Sequence, residues 1–398
     1  MGHVSRHHLE THPWISFKLD LERQIDSRMW MLLGEVISKS EHIAGAPLKP
    51  GLAEHLNEIY LSKGAHATTW IEGNTLTEEE VLQRVQRKLD LPPSQEYLGQ
   101  EIDNIVKAYN VIIDDIVHSR SLALTPERIA LFNQYVLEGV PIDEGVEPGR
   151  IRTKGVGVGT DYRGAPAEDC EHLLDQLCIW FDEFPNQLGE EYRQALTVIA
   201  ALLAHLYIAW IHPFGDGNGR TARLVEFQLL NHAGVPTLSA HLPSDYYMRT
   251  RTQYYRVLQQ TSRPPYPVGK FLRYALEGFV DELRDQVKII QAQQLDVSWV
   301  NFVHEMVSDG HTPASVRQRY LVLDLLPYQF TQISKIPELS PRLAAAYAGK
   351  TRRTVSRDIN ALDELGLIVR ERGAVRPFIE QMQAFLPLRA RTDEPDKE

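Results

Sequence analysis

Cysteine is nearly absent from this chain of 398 residues, which contains only Cys170 and Cys178. Two thiols are too few for a disulfide framework or a cysteine-based zinc site, so we expect a reducing compartment and a cytoplasmic protein. The first residues also lack the apolar stretch of a signal peptide. The longest apolar run, 195–211, contains His205 and is short for a bilayer. We therefore expect it to be a buried helix, and we expect no membrane partner.

Internal repeats and low-complexity tracts are missing as well. With 43% hydrophobic residues the chain can bury a sizeable core, and its length favours division into units of roughly 100–200 residues. Helical spacing of apolar residues dominates, which predicts a mainly α fold. The helical patterns cover residues 19–39, 52–64, 78–89, 97–118, 126–137, 169–184 and 190–211.

The densest chemistry lies in the run His212–Arg223, which reads HPFGDGNGRTAR. His212 has an ordinary pKa near 6.5, so its neutral imidazole can accept a proton from an attacking hydroxyl at neutral pH. Pro213 predicts an extended backbone for the residue before it. Asp216 is a hard oxygen ligand of the kind that Mg²⁺ takes together with phosphate oxygens and water. The run therefore predicts a nucleotide-phosphate site.

An anion site is predicted by the second half of the same run. Gly217 and Gly219 allow backbone N–H groups to approach an anion closely. A helix is expected to begin near Gly219, and its N-terminus would point free N–H groups at that anion. Arg220 and Arg223 are three residues apart, hence on one face, and can bind distal phosphates.

This run resembles the signature of the Fic family, H-x-F-x-[DE]-G-N-G-R-x-x-R, at every defined position. The resemblance implies a helical fold and transfer of AMP from ATP to a Ser, Thr or Tyr hydroxyl of a target protein. It implies that His212 deprotonates that hydroxyl and that Asp216 holds Mg²⁺ between the α- and β-phosphates. It further implies phosphate contacts for Gly217, Asn218, Gly219, Arg220 and Arg223.

A second match lies upstream, where the run 68–74 resembles the family's inhibitory motif, [ST]-x-x-x-E-[GN]. Thr68 and Glu72 are four residues apart and share one helical face. Gly73 is suited to end that helix in a left-handed conformation, and Thr77 with Glu80 predicts a capping box for the next helix. The resemblance implies that Glu72 pairs with Arg223 and displaces the γ-phosphate.

Two weaker similarities complete the predicted site. The β-type segment 151–160 resembles the family's flap hairpin, whose edge aligns the target segment and which brings Val158 and Gly159 to the nucleotide. Tyr254 resembles a tyrosine that lines the adenine pocket. Relatives place an asparagine eight residues after that tyrosine, whereas this chain has Ser262. The nucleotide base is therefore left open.

The C-terminal part has a different character. The order helix, turn, helix, hairpin over 311–380 resembles a winged helix-turn-helix. Residues 311–376 carry 11 Lys and Arg against 6 Asp and Glu, in a chain whose net charge is −11. This local excess favours DNA, although such modules also bind proteins or form dimers. The expected DNA contacts are Thr351, Arg352, Arg353 and Arg357.

The predicted fold is mainly α, with a Fic-type helical domain, a small β-hairpin flap and a C-terminal winged-helix (α+β) domain. We expect a self-inhibited, Mg²⁺-dependent protein adenylyltransferase that uses ATP and modifies a target protein or itself. The alternatives are a DNA-binding regulator that senses nucleotide, and a Fic enzyme that uses another nucleotide or removes AMP. A homodimer is left open. The expected segments are 1–100 with the inhibitory helix near 60–73, a catalytic core 101–285, a linker 286–310, the winged helix 311–380 and a tail 381–398.

Overall fold

The structure, a computed structural model, describes residues 6–47, 50–158, 162–307 and 312–383. It divides into two compact units, residues 1–288 and 289–398. The finer segment boundaries expected from the sequence stay a prediction. The mainly α fold is confirmed, since helices make up most of the described chain in both units.

The first unit consists of helices and one short hairpin. Its helices are α1 (His8–Thr11), α2 (Leu21–Gln24), α3 (Ser27–Ala44), α4 (Pro50–Ile71), α5 (Glu78–Val85), α6 (Glu96–Val117), α7 (Pro126–Val136), α8 (Cys170–Glu183), α9 (Glu190–Ile211), α10 (Asn218–His232), α11 (Leu242–Arg249) and α12 (Arg251–Thr261). Helix α13 (Val268–Met306) begins in this unit and continues into the second.

Helix α9 is the centre of the first unit. Every residue from 195 to 211 except Ala209 is buried, as expected of a helix that is apolar on all faces. Among the described residues it is the one helix with the length and hydropathy of a membrane span, and 89% of its most apolar window is buried inside the protein. The expectation of a buried helix is confirmed. Helix α10 packs beside it, so the loop 212–217 is held between two core helices.

Local signals set several helix ends. Thr77 and Glu80 form the expected capping box at the start of α5, and Gly73 has a positive φ of 108° just after α4. The predicted helix 19–39 was wrong as a single element. Asp26 interrupts it by accepting a hydrogen bond from the Met29 backbone N–H at 3.0 Å, which makes it the N-cap of α3.

The expected hairpin is present between α7 and α8. Strands β1 (Gly157–Val158) and β2 (Tyr162–Arg163) pair antiparallel, with Val158 opposite Tyr162. Gly159, expected at the nucleotide, lies outside the described residues.

Among its described residues, the second unit combines the end of α13 and three further helices with a small sheet. Its elements are α14 (Pro313–Asp324), β3 (Thr331–Gln332), α15 (Pro341–Tyr347), α16 (Arg352–Glu364), β4 (Ile368–Glu371) and β5 (Ala374–Pro377). The strands lie in the order β3-β5-β4, all antiparallel. Helix α16 is strongly amphipathic, and Val355, Ile359 and Leu362 bury its apolar face.

A buried ion pair joins α14 to α16. Arg317 Nε lies 3.0 Å from Asp358 Oδ2, and the Tyr347 hydroxyl donates to the same oxygen at 3.1 Å. Both charged side chains are buried. Removing one partner of such a pair leaves an uncompensated charge in the core.

We expect Asp358→Ala to destabilise the second unit by about 3–5 kcal/mol, because Arg317 then stays buried without a carboxylate. Hydrogen exchange of α16 amides in the full chain measures this, and exchange should become much faster. Asp363→Ala is the control, since Asp363 pairs with Arg370 at the surface, where ion pairs contribute little. Equal exchange in the two variants would contradict the structural role of the buried pair.

Candidate active site

His212 forms the C-cap of α9 and has a left-handed backbone, with φ 51° and ψ 59°. The extended conformation expected from Pro213 was therefore wrong. A left-handed conformation costs a non-glycine residue about 1–2 kcal/mol, so the surrounding contacts must hold it. The turn redirects the chain at once from the buried helix into the loop that carries Asp216.

Those contacts come from the hairpin residue Tyr162 and from the residues on either side of the hairpin. The last carbonyls of a helix have no partner within it. Here the Trp210 carbonyl accepts from the Tyr162 hydroxyl at 2.7 Å, and the Ile211 carbonyl accepts from the Ala165 N–H at 3.1 Å. The His212 carbonyl accepts from Arg152 Nε at 2.7 Å. The hairpin is thereby bonded to the end of α9.

The imidazole of His212 is set up to stay neutral. Its Nδ1 lies 3.4 Å from the Ala209 carbonyl, which favours a proton on Nδ1 and leaves Nε2 as the acceptor. Burial lowers the pKa of His212 to about 4, and the Arg152 charge adds to this effect. The Ala209 contact and the carboxylates of Glu72 and Asp216 oppose it without cancelling it. A neutral imidazole at physiological pH is the form that a general base requires.

The loop after His212 is held by side-chain amides. Asn218 accepts from the Phe214 N–H and donates to the Phe214 carbonyl, both at 2.9 Å. Its amide thus closes the loop, and the predicted phosphate contact of Asn218 stays a prediction. Asn133 donates to the Asp216 carbonyl at 2.8 Å. Gly217 is the left-handed N-cap of α10, with φ 72°, so the expected helix start is confirmed.

Asp216 offers a carboxylate at the mouth of this loop. Its side chain is 49% exposed and its Oδ1 accepts from the Gly217 N–H at 2.5 Å. Within the described residues no three His, Cys, Asp or Glu side chains form a metal cluster. A single carboxylate is nevertheless what Mg²⁺ takes from a protein when phosphates and water supply the other ligands, so Asp216 fits the predicted role.

Arg223 is buried and bound by the upstream inhibitory motif. Its Nη2 lies 2.6 Å from Glu72 Oε1, its Nε donates to the Thr68 hydroxyl at 2.7 Å, and Nη2 also donates to the Thr68 carbonyl at 2.9 Å. Only 1% of the Arg223 side chain is exposed, against 33% for Glu72. The expected pairing of Glu72 with Arg223 is confirmed; its inhibitory role stays a prediction.

The Glu72 carboxylate also lies against the first turn of α10. A methyl group built on Gly219 would overlap Glu72 Oε1. Burial would raise the pKa of Glu72, but the charge and hydrogen bond of Arg223, together with the charge of Arg220, hold it below its ordinary value. An ionised carboxylate thus sits at the helix N-terminus where an anion is favoured.

Arg220 has a carboxylate partner that the sequence did not reveal. Its Nη1 lies 2.7 Å from Glu101 on α6, and Asn74 donates to the other Glu101 oxygen at 2.8 Å. Arg220 Nε is buried and makes no hydrogen bond within the described part of the chain. Glu101, Asn133 and Arg152 come from separate segments, and no local motif marks them, so pattern reading could not find them.

Tyr254 lies deep beneath the site. It is 2% exposed, and its hydroxyl lies 2.8 Å from Nε2 of His205, whose Nδ1 lies 3.1 Å from Glu226. The neighbouring Tyr255 is 43% exposed. The predicted adenine contact of Tyr254 stays a prediction.

A base, an exposed carboxylate and an anion site at a helix N-terminus define a candidate nucleotide-phosphate site. The fold is that of Fic proteins: a Fic family protein from Desulfovibrio desulfuricans G20 superposes with a TM-score of 0.53 over 88% of this chain and 94% of its own, at 21% identity. Residues 123–230 match the sequence profile of the Fic/DOC family. The chain therefore carries a domain of the Fic/DOC family.

Curated relatives share this region. The protein adenylyltransferase Fic of Nematostella vectensis is 26% identical over 260 residues, which cover 65% of this chain and 56% of that protein. The Drosophila willistoni protein adenylyltransferase Fic is 30% identical over 220 residues, covering 55% and 39%. The chain thus spans about half the length, or less, of these relatives.

We expect the His212 imidazole to stay neutral from pH 8 down to about pH 5, because its pKa is about 4. A depressed pKa means that the ring binds a proton only as the pH approaches that value from above. Histidine-selective NMR titration measures this, with the His212 signal assigned by its loss in His212→Gln. A midpoint near 6.5 would show that the surroundings of His212 do not lower its pKa.

Proposed function

We propose that the protein is a self-inhibited, Mg²⁺-dependent adenylyltransferase that transfers AMP from ATP to a hydroxyl of a target protein or of itself. The observation that carries the proposal is the Glu72 carboxylate at the N-terminus of α10, bonded to Arg223 in the place where a phosphate would bind. A site that binds this carboxylate is built to bind an anion. The names of the curated relatives support the reaction class.

The proposed reaction uses His212 as the general base. Nε2 accepts the proton of a Ser, Thr or Tyr hydroxyl, whose oxygen attacks the α-phosphorus of ATP. The bond from that phosphorus to the oxygen bridging to the β-phosphate breaks, and pyrophosphate leaves. Mg²⁺ held by Asp216 would neutralise phosphate charge during this step. Such chemistry depends mainly on positioning and charge stabilisation, which the loop 212–219 supplies.

Self-inhibition follows from competition for Arg223. The guanidinium is buried, so leaving it without an anionic partner is costly. While Glu72 is that partner, a γ-phosphate meets a filled volume and a like charge. Replacement of Glu72 would leave Arg223 to bind the phosphate, which would orient ATP for attack.

The second unit supports a second function, binding of duplex DNA through a winged helix. Thr351, Arg352, Arg353 and Arg357 are all exposed at the start of α16. The three arginines form no ion pair within the described residues. Asp358, which would weaken a basic face, points inward to Arg317. Helix α16 thus presents uncompensated positive charge at its first turns, as recognition helices do.

We expect Glu72→Gly to raise transfer at least about tenfold, which corresponds to about 1.4 kcal/mol of removed competition. Labelled ATP, GTP, UTP and CTP with Mg²⁺, followed by mass spectrometry of modified hydroxyls, measure the product and the base. Glu72→Gln separates charge from volume, because it keeps the shape and loses the charge. Adding Arg223→Ala should cost most of the gain.

Two further variants in the Glu72→Gly background test the chemistry. His212→Ala should abolish transfer while nucleotide still binds, and Asp216→Ala should weaken Mg²⁺-dependent nucleotide binding as well. A folded Glu72→Gly protein that binds ATP and modifies nothing would contradict the transferase function. It would favour the alternative, a regulator that senses nucleotide. Release of AMP from a modified protein, with water as the other reactant, would indicate the AMP-removing enzyme.

We expect Arg352→Glu with Arg353→Glu to weaken duplex DNA binding and to flatten its salt dependence, by about 0.9 in the log–log slope for each phosphate that the protein no longer neutralises. Fluorescence anisotropy over a salt series measures both. The matched control is Arg87→Glu with Lys88→Glu, an adjacent exposed basic pair in the first unit with the same change of charge. If the parent binds no duplex at low salt, the DNA-binding function is wrong, and the result favours a protein-binding role for this unit.

A further inference from the structure

Arg152 is a buried cation without a carboxylate partner. It immediately follows Ile151, which pairs with Phe214 in an isolated antiparallel bridge. Its guanidinium donates to four backbone carbonyls, those of His212 and Lys154 at 2.7 Å, Ile211 at 3.4 Å, and Ala165. Within the described chain no Asp or Glu forms an ion pair with it. A buried charge of this kind is costly. We therefore ask which parts of the site its hydrogen bonds hold together.

The four carbonyls belong to the two parts that must meet in the reaction. Ile211 and His212 end α9, whereas Lys154 and Ala165 lie on either side of the hairpin β1–β2. A cation at the C-terminus of a helix is also favoured by the helix dipole. One side chain thus joins the end of α9 to the segments before and after the hairpin β1–β2.

Arg152 also holds the backbone of His212, the residue with the left-handed conformation. Its backbone N–H donates to the Pro213 carbonyl at 3.0 Å while its Nε donates to the His212 carbonyl. Gly164 closes the other side, because a methyl group there would lie 2.8 Å from His212 Cβ and 2.9 Å from Arg152 Nη2. The left-handed turn of His212 therefore has little freedom to relax.

We propose that Arg152 is a positioning residue of the transfer reaction, which fixes the His212 imidazole relative to the flap that presents the acceptor hydroxyl. This inference rests on the proposed transferase function. A general base must lie within hydrogen-bond reach of the proton it accepts, and small displacements are costly. Arg152 supplies the rigid connection between the base and the surface that aligns the substrate.

The charge of Arg152 gives an additional, independent signal. The charged groups that face His212 are Arg152 before the flap, Glu72 after α4 and Asp216 in the loop. Burial is the largest cause of the low pKa of His212, and Arg152 is the one charge among these that lowers it further. Neutralising Arg152 should therefore raise that pKa, whereas a change confined to packing should not.

The experiment compares Arg152→Gln and Arg152→Lys in the full chain carrying Glu72→Gly. Arg152→Gln should lower kcat on the order of 100-fold, with ATP affinity unchanged, and should move the NMR titration of His212 to higher pH. Arg152→Lys keeps the charge but loses the planar fork, so kcat should fall while the titration stays near that of the parent. Exchange of amides in residues 153–158 should become faster in both.

Arg128→Gln is the matched control. Arg128 is a largely buried arginine of the same unit that bonds Gln228 and Asp115, away from His212. It should lower thermal stability without changing kcat per folded molecule or the His212 titration. Parental kcat in folded Arg152→Lys, or an unchanged titration in Arg152→Gln, would overturn the proposal. If Arg152→Gln does not fold, kcat and flap exchange in Arg152→Lys decide.

Failure of the transferase function and failure of the positioning role give different results. If the Glu72→Gly parent transfers no nucleotide, the transferase function fails, yet the imidazole titration and flap exchange still show whether Arg152 holds His212. If the parent is active and the Arg152 variants match it in kcat, titration and exchange, only the positioning role fails.

Discussion

The need of the buried Arg223 guanidinium for an anion governs the first unit. With 1% of its side chain exposed, the charge cannot be satisfied by water. Thr68 supplies neutral acceptors from 155 positions away in the sequence, and Glu72 supplies the charge from 151 positions away. Helix α4 must therefore dock beside α10 and end at Ile71, so that Glu72 reaches the arginine from the following turn. Glu72 is one third exposed, whereas Arg223 is enclosed. Of the two partners, the carboxylate is therefore the one that another anion can reach and replace.

The loop 212–217, between α9 and α10, is shaped by the same need to bind an anion. An anion site at a helix N-terminus requires that the loop before it approach closely, and Gly217 with its positive φ allows this. His212 must then turn sharply at the end of α9 so that its ring and the N-terminus of α10 face one volume. The hairpin segment satisfies the carbonyls that this turn leaves unpaired. The loop 212–217 is thus anchored at both ends in buried helices.

Much of this could be predicted from local patterns. The run 212–223 has fixed spacing and specific residue types, so its chemistry is readable without coordinates. The capping box of Thr77 and Glu80 is equally local, and its prediction was confirmed. The conformation of His212 could not be predicted, because the preference set by Pro213 is overridden by tertiary contacts with Arg152 and Gly164. The pairing of Glu101 with Arg220 could not be predicted either. A single glutamate on an amphipathic helix has no distinguishing pattern, and its role depends on the packing of α6 against α10.

Glu101 also binds the other arginine of α10, Arg220, with which Glu72 forms no ion pair within the described residues. Arg220 and Arg223 lie one turn apart, yet each pairs with a different carboxylate: Arg220 with Glu101 of α6, and Arg223 with Glu72 in the turn after α4. Asn74 connects the two, since it follows Glu72 by two residues and donates to Glu101. Loss of the Glu72 side chain frees Arg223 but leaves Arg220 bound to Glu101 through contacts that α6 maintains. Only a displacement of the whole segment 72–74 would also remove the Asn74 hydrogen bond that orients Glu101. Loss of the Glu72 side chain and displacement of this segment therefore have different effects on the two arginines.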